Sequence, residues 1–188
     1  IWSINTMLEV INTPQPLNRR PILVPLDFSE CSRSALLYAC QLVEGTHTPL
    51  LILHVVHDSP GKPGLYRRPN GHNPSRPMID IAGEMLDELL TKLRGKHPDL
   101  TALKTARTRL VQGLPGARII EIAAQERAAM ILMGTHGRSG IAHFLQGSVA
   151  EYVSKHARVP VTTVRENVVM PVKLNLDTSG YAAGSGVQ

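Results

Sequence analysis

Gly134-Thr135-His136-Gly137, then nine residues, then Gly147-Ser148, is the segment of the chain best suited to chemistry. Glycine lets a backbone approach an anion closely. A helix starting just behind such a segment offers N–H groups without intrahelical partners and a partial positive charge. Here the segment lies between a short apolar run, Met130 to Met133, and a helical pattern from Val149. That strand–loop–helix order is the geometry used to hold phosphate. Neither of the common phosphate loops is present: Gly-x4-Gly-Lys-Ser/Thr is absent, and Gly134, Gly137 and Gly140 are spaced three apart, so Gly-x-Gly-x-x-Gly is absent too. Ser148-Val149-Ala150-Glu151 also reads as a capping box, which needs no ligand. From the glycines alone, a phosphate cradle and an ordinary helix entry both stand.

Other reactive side chains are sparse. Asp27, at the end of the first apolar run, is the carboxylate that falls at a strand end; Asp58 falls in a loop. Phosphoryl transfer needs a positioned water or base and charge clamps, and no residue is marked out as the base. His136 lies close to the glycines but also reads as a solvated loop histidine. The histidines lack a metal spacing such as His-Glu-x-x-His, and Cys31 and Cys40 supply no paired ligands. We therefore expect no catalytic residues and no protein-held metal. At ~100° per residue the two cysteines fall on opposite faces of one helix and cannot pair.

These residues must be positioned by regular elements. Ile22 to Asp27 reads as a short buried strand, with Pro25 as an objection because proline cannot donate to a ladder. Ser29 offers an N-cap, Ala35, Leu36, Ala39, Leu42 and Val43 follow at helical spacing, and Gly45 ends the helix. Pro49 to His57 is a second buried strand. Residues 58–76 are rich in Pro, Gly, Asn, Arg and His and read as a long mobile loop. Ile79, Ala82, Leu86, Leu89, Leu90 and Leu93 mark a second helix. Thr101 to Val111 reads as a third, less apolar strand suited to a sheet edge. Pro115 opens a third helix with Ile119, Ile122 and Ala123 facing inward. Met130 to Met133 is the fourth strand. A helix from Ser148 carries Val149, Tyr152, Val153 and His156 on one face, and Val159 to Val164 is the fifth strand. The alternation argues for a parallel sheet with helices on both faces and right-handed crossovers. In such sheets ligands bind beyond the strand carboxyl ends, where strand order reverses. Asp27, Val55 to His57, Gly113 and Gly134 would share that rim.

The chain has 188 residues, enough for one domain with tails, and is 43% hydrophobic. We read 1–20 as an N-terminal arm, 21–166 as the domain and 167–188 as a C-terminal extension. Val168 to Leu176 in that extension alternates like an edge strand, and Ser179 to Gln188 reads as a flexible tail. The net charge of +5 is scattered and aromatics are 4%, which weighs against a nucleic-acid surface. No apolar run approaches the ~18 residues of a membrane span, and no export signal is apparent. The unpaired thiols suit a reducing compartment, so the expected location is cytoplasmic.

The stretch Met133 to Gly140 with Gly147 to Glu151 resembles the universal stress protein family, whose nucleotide-binding branch carries Gly-x2-Gly-x9-Gly-Ser/Thr. Ile22 to Ser29 resembles that family's first strand and turn, where a proline at the position of Pro25 is common. Leu53 to Val56 resembles its second strand and Val159 to Val164 its last; the resemblance spans about 20–166. It implies an α/β fold: a five-stranded parallel doubly wound sheet of order 3-2-1-4-5, helices on both faces, Rossmann-like and of the adenine-nucleotide alpha-hydrolase-like kind. It implies ATP on the rim between strands 1 and 4, with Mg²⁺ bridging phosphates. By resemblance Asp27 and Val55 lie at the adenosine, with Pro25 and Leu26 also among the cofactor-binding residues. Gly134, Gly137, Gly147, Ser148 and Val149 lie at the phosphates, and Met133, Thr135, His136 and Arg138 complete the cofactor-binding set. Asp27 also reads as a helix-entry carboxylate, Val55 as core and Arg138 as a solvated loop charge. The resemblance further implies a homodimer and a regulatory stress-response module rather than an enzyme, with slow ATP hydrolysis left open. The alternative is a nucleotide-dependent enzyme with real ATPase or transferase turnover, for which strand-end carboxylates are scarce. A protein of the same fold that binds no nucleotide is a third reading, disfavoured by the complete glycine and serine positions.

Overall fold

The structure, a computed structural model, describes residues 20–57, 77–135 and 148–166, with Ser148 described by its backbone. The expected arm before residue 20, the loop 58–76, the edge strand at Val168 to Leu176 and the tail lie outside the described residues.

Ile22–Pro25 forms β1, Glu30–Val43 α1, Leu50–Val56 β2, Met78–Lys96 α2, Thr101–Thr105 α3, Arg107–Gln112 β3, Pro115–Gln125 α4, Met130–Gly134 β4, Ser148–His156 α5 and Val161–Val164 β5. The sheet is parallel throughout, with order β3-β2-β1-β4-β5, as the resemblance implies.

Side chains alternate across each strand, and the two sets build two cores. Ile22, Val24, Leu50, Ile52 and Leu132 pack under α1, α2 and α3 with Ala35, Leu36, Leu86, Leu90 and Leu103. Leu23, Leu51, Leu53, Ile131 and Met133 face Ile119, Ile122, Ala150 and Val153 of α4 and α5. Helices thus cover both faces, and right-handed crossovers explain why the side changes where strand order turns back across β1. Each fully buried Leu or Ile contributes roughly 1.5–3 kcal/mol.

Two local expectations differ from the structure. Thr101–Thr105 is a short helix, not the start of β3. Ala102, Leu103 and Lys104 are good helix formers; Leu103 is fully buried, and its carbonyl accepts from Arg94 Nε at 3.2 Å. On α5 the buried residues are Ala150 and Val153, with Val149 half-buried against the same core. Tyr152 is 44% exposed and stacks on His156, with ring centroids 4.3 Å apart. Its ring lies against Gly116 of α4, where a Cβ would sit 2.6 Å from Tyr152 Cδ1.

Candidate functional site

Strand order reverses between β1 and β4, and there the ladder opens early. The pairs of β1 with β4 are Ile22↔Met130 and Leu23↔Ile131, whereas β1 pairs with β2 as far as Pro25↔Leu53. The amides of Ile22 and Leu26 donate to Pro49 O (3.0 Å) and Leu53 O (2.8 Å). Residues of that parity therefore aim their amides at β2, and the odd residues, Pro25 among them, aim toward β4. Proline withholds its donor where the strands part, so no ladder bond is lost. This answers the objection to Pro25 and makes it part of the crevice.

The turn from β1 to α1 is closed by its own side chains. Asp27 Oδ1 accepts from Ser29 N (3.1 Å) and Ser29 Oγ (2.6 Å). Ser29, extended at φ −74° and ψ 161°, caps α1 by accepting from Ser32 N at 3.1 Å. Ser32 Oγ donates to Ser29 O (3.0 Å) and accepts from Asp27 N (3.3 Å). The helix-entry reading of Asp27 thus has a physical basis. A carboxylate has about four acceptor positions, and two are used here. Phe28 lies between them at φ +67°, a left-handed conformation unusual for a bulky residue. That reversal sends its ring toward Val56 and Ala82 beneath α2. Arg33 donates to Phe28 O at 2.8 Å and pairs with Glu30.

From β2, Val55 is half-buried on the α4–α5 side and lies in register with Val111, also half-buried. The pair forms an apolar wall at the rim. His54, on the opposite side, is 2% exposed, and its Nδ1 lies 2.6 Å from Leu26 O.

At the end of β4, Met133 is buried, Gly134 half-buried, and the Thr135 amide donates to Val164 O at 2.9 Å. Gly134 has a role that the anion-cradle reading did not contain. A Cβ there would stand 2.8 Å from Cys31 C, 2.9 Å from Cys31 Cβ and 3.0 Å from Ser32 N. Its missing side chain lets the first turn of α1 lie directly on β4. The helix at the other end of the motif begins at Ser148, and Val149 packs on the α4–α5 core. His136, Gly137, Arg138 and Gly147 lie outside the described residues.

Arg118, beside Gly113 (φ +135°), donates through Nε to Gln112 O at 2.9 Å and pairs with Glu121. Among the described residues no group of three or more His, Cys, Asp or Glu could hold a metal. Cys31 and Cys40 are buried and unpaired; burial, with a smaller push from Glu44, raises the Cys40 thiol to about 12. Among these residues, the structure brings together Pro25, Leu26, Asp27, Met133, Gly134 and Thr135, with Val55 one strand away. Sequence reasoning missed His54 and Phe28. The Asp-x-Ser spacing signals an Asx turn, but no local pattern shows that a histidine on another strand closes it.

Residues 18–165 match the model of the universal stress protein family. A universal stress protein of Methanocaldococcus jannaschii, MJ0531, is 30% identical over 151 residues, covering 78% of this chain and 82% of that one. The solved structure of MJ0577, from the same organism, has a TM-score of 0.54 at 26% identity, over 82% of this chain and 100% of that one. A universal stress protein solved in complex with cAMP has a TM-score of 0.57 at 20% identity, covering 79% and 99%, which shows the shared fold alone. With the sheet order, the opened β1–β4 crevice and these similarities together, the chain belongs to the universal stress protein family.

Proposed function

We propose that this chain binds an adenine nucleotide, ATP with Mg²⁺ bridging its phosphates, as a regulatory module rather than a turnover enzyme. The observation that carries the reading is the convergence of the carboxyl ends of β1 and β4 where strand order reverses, with Asp27 on one lip and Gly134-Thr135 on the other. Asp27 retains acceptor capacity for ribose hydroxyls. Val55 and Val111 give adenine an apolar surface, and Pro25 and Leu26 supply adjacent backbone. To the phosphates we assign Met133, Gly134, Thr135, His136, Gly137, Arg138, Gly147, Ser148 and Val149. The first amides of α5 have no intrahelical acceptors and suit an anion. Since Gly134 already has a packing role, the phosphate reading leans on Gly137, Gly147 and the nine-residue spacer. Mg²⁺ would be held through phosphates and water. A family member in complex with cAMP supports the ligand class. The terminal strand β5 offers an edge for a homodimer, and a cytoplasmic location suits the free thiols.

Thermal unfolding with and without Mg-ATP, AMP and cAMP tests this. Ligand at ~100-fold its dissociation constant stabilises by about 2.7 kcal/mol, a shift of roughly 5–10 °C for a domain of this size. No shift with any of the three overturns the proposal. Gly137→Val is expected to abolish the shift by blocking phosphate approach; a retained shift means the loop is misassigned. Multiple-turnover hydrolysis at ~1 per second or faster favours the enzyme alternative.

A further inference from the structure

We infer that His54 is a positioning residue for the nucleotide: through Leu26 O it fixes the peptide that carries Asp27. The inference rests on the nucleotide reading above and names a part of the site outside the expected contact residues. A carbonyl oxygen only accepts, so the short 2.6 Å contact requires the hydrogen on His54 Nδ1. The imidazole is 2% exposed, reaching from β2 to the residue just beyond the last paired position of β1. No amide of a described residue reaches Leu26 O, so a side chain completes what the ladder leaves open.

The mechanical consequence follows from peptide planarity. Leu26 C=O and Asp27 N–H belong to one rigid unit. Its oxygen is held by His54 from β2, and its N–H by Ser32 Oγ at 3.3 Å from α1. Held at both ends, the plane cannot rotate, which fixes the backbone from which the Asp27 side chain departs, while Ser29 holds its Oδ1. The next residue, Phe28, keeps a left-handed φ of +67° that persists only when its surroundings over-determine it. Its ring lies 4.5 Å from the His54 ring, tilted by 49°. One buried side chain therefore braces the Leu26 carbonyl and the strained residue on either side of Asp27.

The test is a double-mutant cycle on the Kd for Mg-ATP, read by calorimetry on the full chain. His54→Leu removes the donor and is expected to weaken binding about tenfold, the equivalent of one buried hydrogen bond. His54→Asn can place an amide N–H near the position of Nδ1 and is expected to stay within about threefold of wild type. In an Asp27→Asn background the His54→Leu effect is expected to shrink below about twofold, because the positioned carboxylate is gone. Additive effects, or equal losses in His54→Leu and His54→Asn, overturn the inference. Should His54→Leu fail to fold, ¹⁵N spectra of the wild-type imidazole decide: a protonated Nδ1 with slowed exchange supports the role, and a bare Nδ1 overturns it. A wild-type chain that binds no adenine nucleotide overturns the nucleotide reading and this role with it, whereas unchanged binding by His54→Leu overturns this role alone.

Discussion

Asp27, Ser29 and Gly134 each combine a folding role with their place on the rim, and substitution separates the two. Ser29→Ala removes the α1 cap and the hydroxyl's hydrogen bond to Asp27 Oδ1, leaving the bond donated by the Ser29 amide. Loss of such a cap costs about 0.5–2 kcal/mol, measurable by denaturant titration. Gly134→Ala drives a Cβ into the backbone of Cys31, an obstruction that cannot rotate away. Overpacking of this kind costs about 1–3 kcal/mol. The loss is expected in the absence of any nucleotide; an unchanged midpoint would show that α1 moves off β4 freely. Ser29 was legible because N-cap chemistry is local. The packing of Gly134 was not, since its partner lies about a hundred residues earlier and the motif already offered a reason for glycine. His54 illustrates the same limit: an apolar strand pattern predicts burial but not the carbonyl it serves.

At the scale of elements, the outer strand β3 is tied to the end of α4 by charge. Arg107 Nη2 and Arg109 Nη1 donate to the two carboxylate oxygens of Glu126 at 2.9 and 2.8 Å, and Arg109 also reaches Gln125. The Arg107 hydrogen bond holds the Glu126 carboxyl below its ordinary value of 4.5, partly opposed by burial. A lowered folded-state pKa means the pair stabilises above the unfolded pKa and is lost as pH falls through the folded one. Arg107 is largely exposed, so solvent limits the effect to a few tenths up to about 1 kcal/mol. Glu126→Gln is expected to cost that amount near neutrality and nothing once the pH lies below the lowered folded-state pKa of Glu126, read from urea midpoints across pH. A constant difference at every pH would assign the loss to packing. The edge position of β3 was legible in its poor apolar content, and the arginines that mark it also guard the edge against pairing. The helix α3 was not, because five residues carry too little periodicity to separate from the strand that follows.

Across the whole molecule, alternating strands and helices were readable from hydrophobic runs, but those runs do not say which strands are neighbours; the order came from the family resemblance. That order makes the crevice a joint between two halves of the sheet, with α1 resting on β4 through Gly134. A nucleotide bridging Asp27 and the β4 loop would therefore oppose any opening that separates β1 from β4. The two cysteines can report this. Cys40 is fully buried in the α1-side core with its thiol pushed up to about 12, so it reacts only after that core opens. Cys31 lies in the first turn of α1 against Gly134, at the joint itself. Where reclosing outpaces labelling, the rate of modification follows the open population. Mg-ATP at ~100-fold its dissociation constant is then expected to slow Cys40 labelling about 100-fold, matching its global stabilisation. Cys31 is expected to react faster than Cys40 without nucleotide and to be slowed as well. Mass spectrometry of time-resolved alkylation measures both. If Cys40 reacts at one rate with and without a nucleotide that raises the melting temperature, the core opens without releasing the ligand, and the crevice is not the joint that couples the two halves.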